Sequence, residues 1–189
     1  LASAIPIITQ SKNRQDYVYH PESGEKLSEA AVEALQRKKK VWNQGHDVQI
    51  MISDGLNARS LMDEGHLTPF LERLKEGLEE RNYKISPEQI LITHGRVRAG
   101  YACGELLFGQ SGQSAELKSV LHIIGERPGS GHHNFSTYIT TAKVAQWSQP
   151  GLIDHNITQV VSGISDTALV PERAVEVILG ILDRNYAMS

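Results

Sequence analysis

The stretch Val120–Gly131, VLHIIGERPGSG, decides how the rest of the sequence is read. A run of branched apolar residues meets Gly125, Glu126 and Arg127, which is the pattern of a buried strand ending in a charged, glycine-rich loop. A carboxylate and a guanidinium at the end of a buried strand are costly unless a ligand or a partner needs them. The stretch therefore predicts a core strand whose carboxyl end carries a binding loop.

Other apolar stretches end in the same way. Polar or glycine-containing junctions follow or close the strands predicted at 48–52, 90–93 and 159–164, and these junctions are Asp54–Gly55, Gly95–Val97 and Ser162–Ser165. Helical patterns lie between the strands at 28–42, 56–62, 67–81 and 99–108, and a last helix is predicted at 171–184. Nearly continuous apolar strands alternating with helices predict an α/β fold, with a mostly parallel, Rossmann- or flavodoxin-like sheet and helices on both faces. Ligands of such sheets bind beyond the carboxyl ends of the strands, so these junctions are expected along one edge.

Two regions carry weaker patterns. Residues 1–27 are predicted to be an irregular N-terminal lead-in that packs on the domain or on a partner, and residues 28–189 form one α/β domain. Ser136–Thr141 is interpreted as either a strand or a loop.

Composition excludes several classes of protein. With 189 residues, 40% hydrophobic and 22% charged, the chain resembles an ordinary globular domain. A net charge of −3 gives no indication of a nucleic-acid or anionic-membrane partner. The single cysteine, Cys103, excludes an intrachain disulfide, and no apolar run approaches the roughly 18 residues of a membrane span. The apolar stretch Leu1–Thr9 lacks a basic leader, so a cytoplasmic location is expected.

No residue pattern points to a complete catalytic site. The loop Gly109–Gly112 follows a helix instead of opening one, so it is not a phosphate-binding loop. The histidines show no metal-ligand spacing, so no metal site is expected, and neither Ser53 nor Ser162 lies in a nucleophile elbow. Asp54 is interpreted first as a helix cap. Glu126 pairs with an arginine or contacts a ligand, and Gly125 beside it leaves the backbone open for a ligand to approach.

Taken in order, the motifs resemble the small (light) subunit of ethanolamine ammonia-lyase, an adenosylcobalamin-dependent enzyme of bacterial ethanolamine breakdown. The matching pieces extend from about Asp16 to Tyr186 and are YHPESGEKL at 19–27, SDGL at 53–56, GRV at 95–97, GELL at 104–107, IGERPG at 124–129 and SGI at 162–164.

The resemblance implies a hetero-oligomeric lyase that converts ethanolamine to acetaldehyde and ammonia. The small subunit covers one side of the cobalamin (vitamin B12 coenzyme), while a TIM-barrel large subunit binds the substrate and holds the radical-handling residues. No catalytic residue is therefore expected in this chain, and the chain alone is expected to be inactive. The family's location, the cytoplasm or a bacterial microcompartment, is implied as well.

The family's cobalamin contacts transfer to Val97 in GRV and to Glu126 in GERPG. A third contact, a cysteine in the family, falls on Val160, where only a main-chain or packing contact could survive. His122–Gly125 matches half of the DxHxxG sequence with which another cobalamin class ligates cobalt, but Val120 replaces its aspartate. The cofactor is therefore expected to keep its own base. Two rival functions stay open: a stand-alone α/β domain for another cofactor or nucleotide, and a scaffold subunit without cobalamin.

Overall fold

The sheet lies at the centre of the molecule. A computed structural model describes residues 4–42, 45–62, 65–110, 114–126 and 133–188. The strands of its sheet are β1 (Ala4–Ile8), β2 (Val48–Ser53), β3 (Gln89–Thr93), β4 (Leu117–Gly125), β5 (Phe135–Lys143) and β6 (Thr158–Ile164). They are ordered β1-β3-β2-β4-β5-β6 in one six-stranded sheet. All neighbours from β1 to β4 pair in parallel, whereas β5 runs antiparallel to both β4 and β6.

Helices pack against both faces of this sheet. The helices of the described residues are α1 (Arg14–Tyr19), α2 (Glu29–Trp42), α3 (Arg59–Met62), α4 (Leu67–Glu80), α5 (Val97–Phe108), α6 (Val144–Trp147) and α7 (Pro171–Ala187). The core on one face is built with α3, α4 and α7, where the rings of Phe70 and Phe135 meet edge to face at 5.1 Å. The core on the other face is built with α2, α5 and α6, and the buried side chains of Leu35, Phe108 and Trp147 belong to it. The predicted α/β fold with a mostly parallel sheet and helices on both faces is therefore confirmed.

The predicted secondary structure agrees well in the middle of the chain. The strands expected at 48–52, 90–93, 120–124 and 159–164 correspond to β2, β3, β4 and β6, with ends that differ by up to three residues. Ser28 caps the helix α2 that follows it, since its Oγ accepts a hydrogen bond from Ala31 N–H at 3.2 Å. Helix α5 begins at Val97, two residues earlier than the pattern indicated.

The start of the chain is more ordered than expected. The segment 1–27 is expected to be irregular, but Ala4–Ile8 forms an edge strand that pairs in parallel with β3. Pro6 argues against a central strand because it cannot donate a ladder hydrogen bond, and an edge strand tolerates that loss. Ile5 and Ile7 are buried in the core on the α5 face.

The stretch left open at Ser136–Thr141 is a strand. It forms the middle of β5, which runs antiparallel to both of its neighbours in the sheet. Its side chains alternate between the two cores: Phe135 and Ile139 face α4 and α7, whereas Ala142 faces α5 and α6. Tyr138 and Thr140 therefore share the α5 face with Ala142.

Candidate functional site at the carboxyl edge

The loops that follow β2 and β4 pack directly on each other. Leu56 N–H donates a hydrogen bond to Gly125 O at 3.0 Å. Gly55 has φ of 55°, and a Cβ at this position would lie 2.3 Å from Gly125 O. Only glycine fits such a left-handed, closely packed position. The Asp54–Gly55 and Gly125–Glu126 junctions, distant in sequence, are therefore in direct backbone contact.

Asp54 connects this edge to the loop after β3. Its Oδ1 accepts a hydrogen bond from Gly95 N–H at 3.3 Å, and burial raises the pKa of the Asp54 carboxyl. The expectation that Asp54 caps the next helix is wrong, because Asn57 does so: its Oδ1 accepts from Arg59 N–H at 3.2 Å. Asp54 instead fixes the turn that leads into α5.

The segment after β1 crosses the same edge. The Tyr17 ring is buried between two guanidinium groups, with Arg96 at 4.5 Å and Arg14 at 4.9 Å from its centroid. Arg96 Nη2 donates to Tyr17 O at 2.8 Å, and Arg14 Nη1 donates to Gly55 O at 2.6 Å. Cation–π contacts and charge-assisted hydrogen bonds thus hold α1 against the loops after β2 and β3.

Val97, the first predicted contact residue, is the first residue of α5 and is half-buried. One turn further, Gly100 lies directly over the imidazole of His122 in β4, because a Cβ on Gly100 would be 2.4 Å from His122 Nδ1. Val97 is thereby placed at the carboxyl edge above β4 and close to His122.

Glu126, the second predicted contact residue, follows β4 directly and is half-buried. Its N–H donates to Asn134 O at 3.1 Å, which continues the contact between β4 and β5 for one more residue. Its Oε1 accepts a long hydrogen bond of 3.4 Å from the Tyr138 hydroxyl. Among the residues that the structure describes, no arginine forms an ion pair with Glu126. Arg127 and the rest of the GERPGSG loop lie outside the described residues.

Val160, the third predicted residue, lies on β6 and exposes 51% of its surface. It pairs in register with Tyr138 of β5, which in turn pairs with His122 of β4. The next row confirms this alignment, since the Thr140 and Thr158 hydroxyls share a hydrogen bond of 2.9 Å. With neighbouring strands roughly 4.8 Å apart, Val160 lies about 10 Å from the His122 backbone.

Tyr138 connects two of these positions, Glu126 and Val160, and sequence reasoning missed it. It neighbours Val160 across the strand pair, donates to Glu126, and shares a register row with the histidine beneath the start of α5. The sequence signal, one tyrosine among threonines at 135–143, was too weak to separate strand from loop. We refer to Val97, Glu126, Tyr138 and Val160 as the rim.

The electrostatics of the rim favour a neutral phenol beside a charged carboxylate. Burial, together with the charge of Glu126, raises the pKa of Tyr138 to about 12. At neutral pH the Tyr138 hydroxyl therefore stays protonated and available as a donor. The rim offers one carboxylate acceptor, one hydroxyl and two apolar side chains.

Contacts beside the rim tie α5 to the segment before β6. Arg98 and Asp154 form an ion pair at 3.1 Å, and the Tyr101 hydroxyl lies 3.1 Å from His155 Nδ1. Both contacts join one face of α5 to residues that lead into β6.

His122 is the histidine of the stretch His122–Gly125, which matches half of the cobalt-ligating DxHxxG sequence. Its side chain is buried, with 2% of the residue exposed. Its Nε2 lies 2.5 Å from Ser53 Oγ, so this nitrogen already has a hydrogen-bond partner inside the protein. Cys103 is fully buried in α5, and burial raises the pKa of its thiol. Within the described ranges, no three histidine, cysteine or acidic residues come close enough together to hold a metal ion.

One groove of the described residues lies away from the rim. It has a volume of about 1110 Å³ between α2, α5 and α6, and Val32, Leu106 and Trp147 contribute to its walls. None of the rim residues lines it. Of the helices that the structure describes, none has both the length and the apolar character to cross a bilayer.

The mostly parallel sheet with helices on both faces places this chain in the class of α/β domains, in which ligands bind beyond the carboxyl ends of the strands. The profile of a family described as ethanolamine ammonia-lyase light chain (EutC) matches residues 1–189. This chain therefore belongs to the ethanolamine ammonia-lyase light chain family, which confirms the resemblance seen in the motifs.

Relatives named ethanolamine ammonia-lyase small subunit are similar to this chain. One from Pseudomonas aeruginosa (strain LESB58) is 34% identical over 131 residues, covering 69% of this chain and 44% of the relative. One from Pseudomonas fluorescens (strain Pf0-1) is 33% identical over 129 residues, covering 68% of this chain and 43% of the relative. One from Pseudomonas putida (strain W619) is 31% identical over 133 residues, covering 70% and 45% respectively. The matched part of this chain thus spans less than half the length of these relatives.

Proposed function

We propose that this chain serves as the small subunit of an adenosylcobalamin-dependent ethanolamine ammonia-lyase, and that the rim faces the cofactor at the interface with the large subunit. The observation that carries the proposal is the position of Tyr138. It brings Glu126 and Val160 together on the face where α5 begins with Val97.

The side chains of the rim suit the periphery of a corrin. A corrin carries amide side chains around an apolar ring, so it needs hydrogen-bond acceptors and donors as well as flat apolar contacts. The Glu126 carboxylate can accept from amide N–H groups, and the Tyr138 hydroxyl can exchange hydrogen bonds with amide oxygens. Val97 and the half-exposed Val160 supply apolar surface.

Val160 takes the place of a family cysteine. Its side chain lies on the exposed part of β6 beside Tyr138. An isopropyl group there can pack against the edge of a ring but cannot supply a sulfur contact. We therefore assign Val160 a packing role at the rim.

The proposal divides the work between two subunits. Bound adenosylcobalamin supplies the radical chemistry, and a TIM-barrel large subunit binds ethanolamine and handles the radicals that lead to acetaldehyde and ammonia. This chain binds and orients the corrin. The burial of His122 and its bond to Ser53 support a cofactor that keeps its own base. The setting that accompanies this role is the bacterial cytoplasm or a microcompartment within it.

The test is a titration of the complex reconstituted with a large subunit of the same family. We expect the wild-type complex to retain cobalamin through gel filtration, with the corrin absorbance co-eluting with both chains. Glu126→Gln keeps the size of the side chain and one acceptor oxygen but loses the charge, and a charged hydrogen bond exceeds a neutral one by about 1–1.5 kcal/mol. The variant should therefore bind cobalamin about five-fold to ten-fold more weakly.

Glu79→Gln is the matched control, because Glu79 is exposed on α4 at the opposite face of the sheet. It should leave the cobalamin affinity unchanged. A wild-type complex that assembles without corrin would instead support the scaffold function, and a chain that does not associate with any large subunit would support a stand-alone domain. Equal cobalamin affinities for the Glu126 and Glu79 variants would show that the Glu126 carboxylate does not contribute to cobalamin binding.

A further inference from the structure

We propose that the buried Ser53–His122 pair is a positioning element that sets the height of the amino end of α5 above the sheet, and with it the position of Val97 in the rim. This inference rests on the proposed function, since it assigns to two residues below the rim the task of holding one of its members in place. Neither Ser53 nor His122 reaches the surface: they are 0% and 2% exposed.

The pair joins the central strands of the sheet on the face that carries α5. Ser53 is the last residue of β2, and His122 lies in the neighbouring β4, with Ser53 Oγ and His122 Nε2 2.5 Å apart. A short hydrogen bond inside a fully buried region fixes the orientation of the imidazole ring. The ring then stands between the sheet and α5 as a rigid spacer.

Two glycines make room for the pair, and they lie on either side of Val97. A Cβ on Gly95 would be 2.4 Å from Ser53 Oγ, and a Cβ on Gly100 would be 2.4 Å from His122 Nδ1. Any larger residue at either position would have to push the backbone away from the sheet. The turn before Val97 and the helix after it therefore rest directly on these two polar side chains.

The imidazole is neutral under ordinary conditions. Burial lowers the pKa of His122 to about 3, and the nearby backbone of Val97 opposes that shift only in part. Nδ1 is buried without a hydrogen-bond partner of normal geometry. On the side away from Ser53, the ring interacts with the backbone of Val97 at the first turn of α5. The imidazole therefore lies between Ser53 and the start of α5, and its bond to Ser53 fixes it on the side of the sheet.

Two substitutions near the pair should move Val97 out of its position in the rim. Ser53→Ala removes the hydrogen bond while leaving the space around it nearly unchanged, so the imidazole is free to turn and the start of α5 loses its support. Gly100→Ala keeps the bond but drives a methyl group into the ring, so α5 must move outward. Both variants should displace Val97 without touching Glu126, Tyr138 or Val160.

The experiment measures cobalamin affinity and local hydrogen exchange in the complex with the large subunit. Both variants should weaken cobalamin binding about five-fold to thirty-fold, as expected when one apolar contact of several is misplaced. Hydrogen–deuterium exchange should become faster in peptides that cover 96–102, and exchange at 104–108 should change less. The exchange readout does not depend on the cofactor.

His46→Leu is the control for general loss of stability. His46 is a comparably buried histidine at 4% exposure, next to Trp42 and Phe108 and away from the carboxyl edge. It should leave cobalamin affinity and exchange at 96–102 unchanged.

The outcomes separate this inference from the proposed function. Unchanged exchange at 96–102 in both variants overturns the inference, and so does local exchange that rises while cobalamin affinity stays at the wild-type value. A wild-type complex without corrin overturns the proposed function instead. Even if the wild-type complex holds no corrin, faster hydrogen–deuterium exchange confined to 96–102 in the two variants would still show that the Ser53–His122 pair supports the start of α5.

Discussion

At the scale of single residues, Tyr138 determines how Glu126 is presented. The hydroxyl donates to Glu126 Oε1 at 3.4 Å, a length at the weak end for such a bond. The raised pKa of Tyr138, about 12, keeps the proton on the phenol at any pH at which the protein would be used. The hydroxyl therefore orients the carboxylate without neutralising it.

Tyr138→Phe tests this role. The variant keeps the ring beside Val160 and removes only the hydroxyl, so we expect cobalamin affinity in the complex to fall by a modest factor of about three to ten. Tyr19→Phe is the control, because Tyr19 is 70% exposed on α1. Titration calorimetry of both variants with cobalamin would measure the difference. An affinity of Tyr138→Phe equal to that of the control would leave Glu126 without a positioning partner on β5.

At the scale of secondary-structure elements, β1 extends the sheet by one strand at its edge. Its register with β3 places Ile7 opposite Ile92, and Ile7 is only 6% exposed. The neighbouring Ile8 points the other way and is 41% exposed. This alternation is what a strand covered on one face requires.

The unfolding free energies of Ile7→Ala and Ile8→Ala therefore test whether the segment forms a strand or an irregular lead-in. Loss of a buried isoleucine side chain costs about 2–5 kcal/mol of unfolding free energy, so Ile7→Ala should shift the urea midpoint strongly. Ile8→Ala should cost well under about 1 kcal/mol. Equal, small effects of both changes would show that β1 contributes little to the stability of the sheet.

At the scale of the whole molecule, two buried histidines make stability depend on acid. Burial lowers the pKa of His46 to about 4 and that of His122 to about 3. Both native values lie below the ordinary value of about 6.5, so the unfolded chain binds more protons than the folded one in this window. Stability from both histidines is present above about pH 6.5 and is lost as the pH falls, toward 4 for His46 and toward 3 for His122.

Urea unfolding between pH 7 and pH 4.5 measures this dependence. Each histidine should contribute a slope of about 1.4 kcal/mol per pH unit below its unfolded pKa. His46→Leu should remove about half of the combined slope while His122 keeps the rest. A variant with the same slope as the wild type would mean that His46 does not titrate as a buried group.

The sequence predicted the candidate site unevenly, and the reasons are physical. Val97 and Glu126 belong to compact motifs next to strongly apolar strands, so their place at the carboxyl edge followed from local patterns. Asp54 was misread because a carboxylate before a helix usually caps it, whereas here a glycine amide from another loop lies within reach. Tyr138 carried no local signal, since its importance comes from strand pairing.

The sequence by itself determined the α/β class, the order of the central strands and helices along the chain, and the family to which its motifs belong. Those features depend on periodicity and short motifs, which are local properties. Only the tertiary structure decided that β1 completes the edge of the sheet, that β5 runs antiparallel, and that Tyr138 joins Glu126 to Val160. These contacts join residues far apart in the chain, and their existence depends on register and burial that no local pattern encodes.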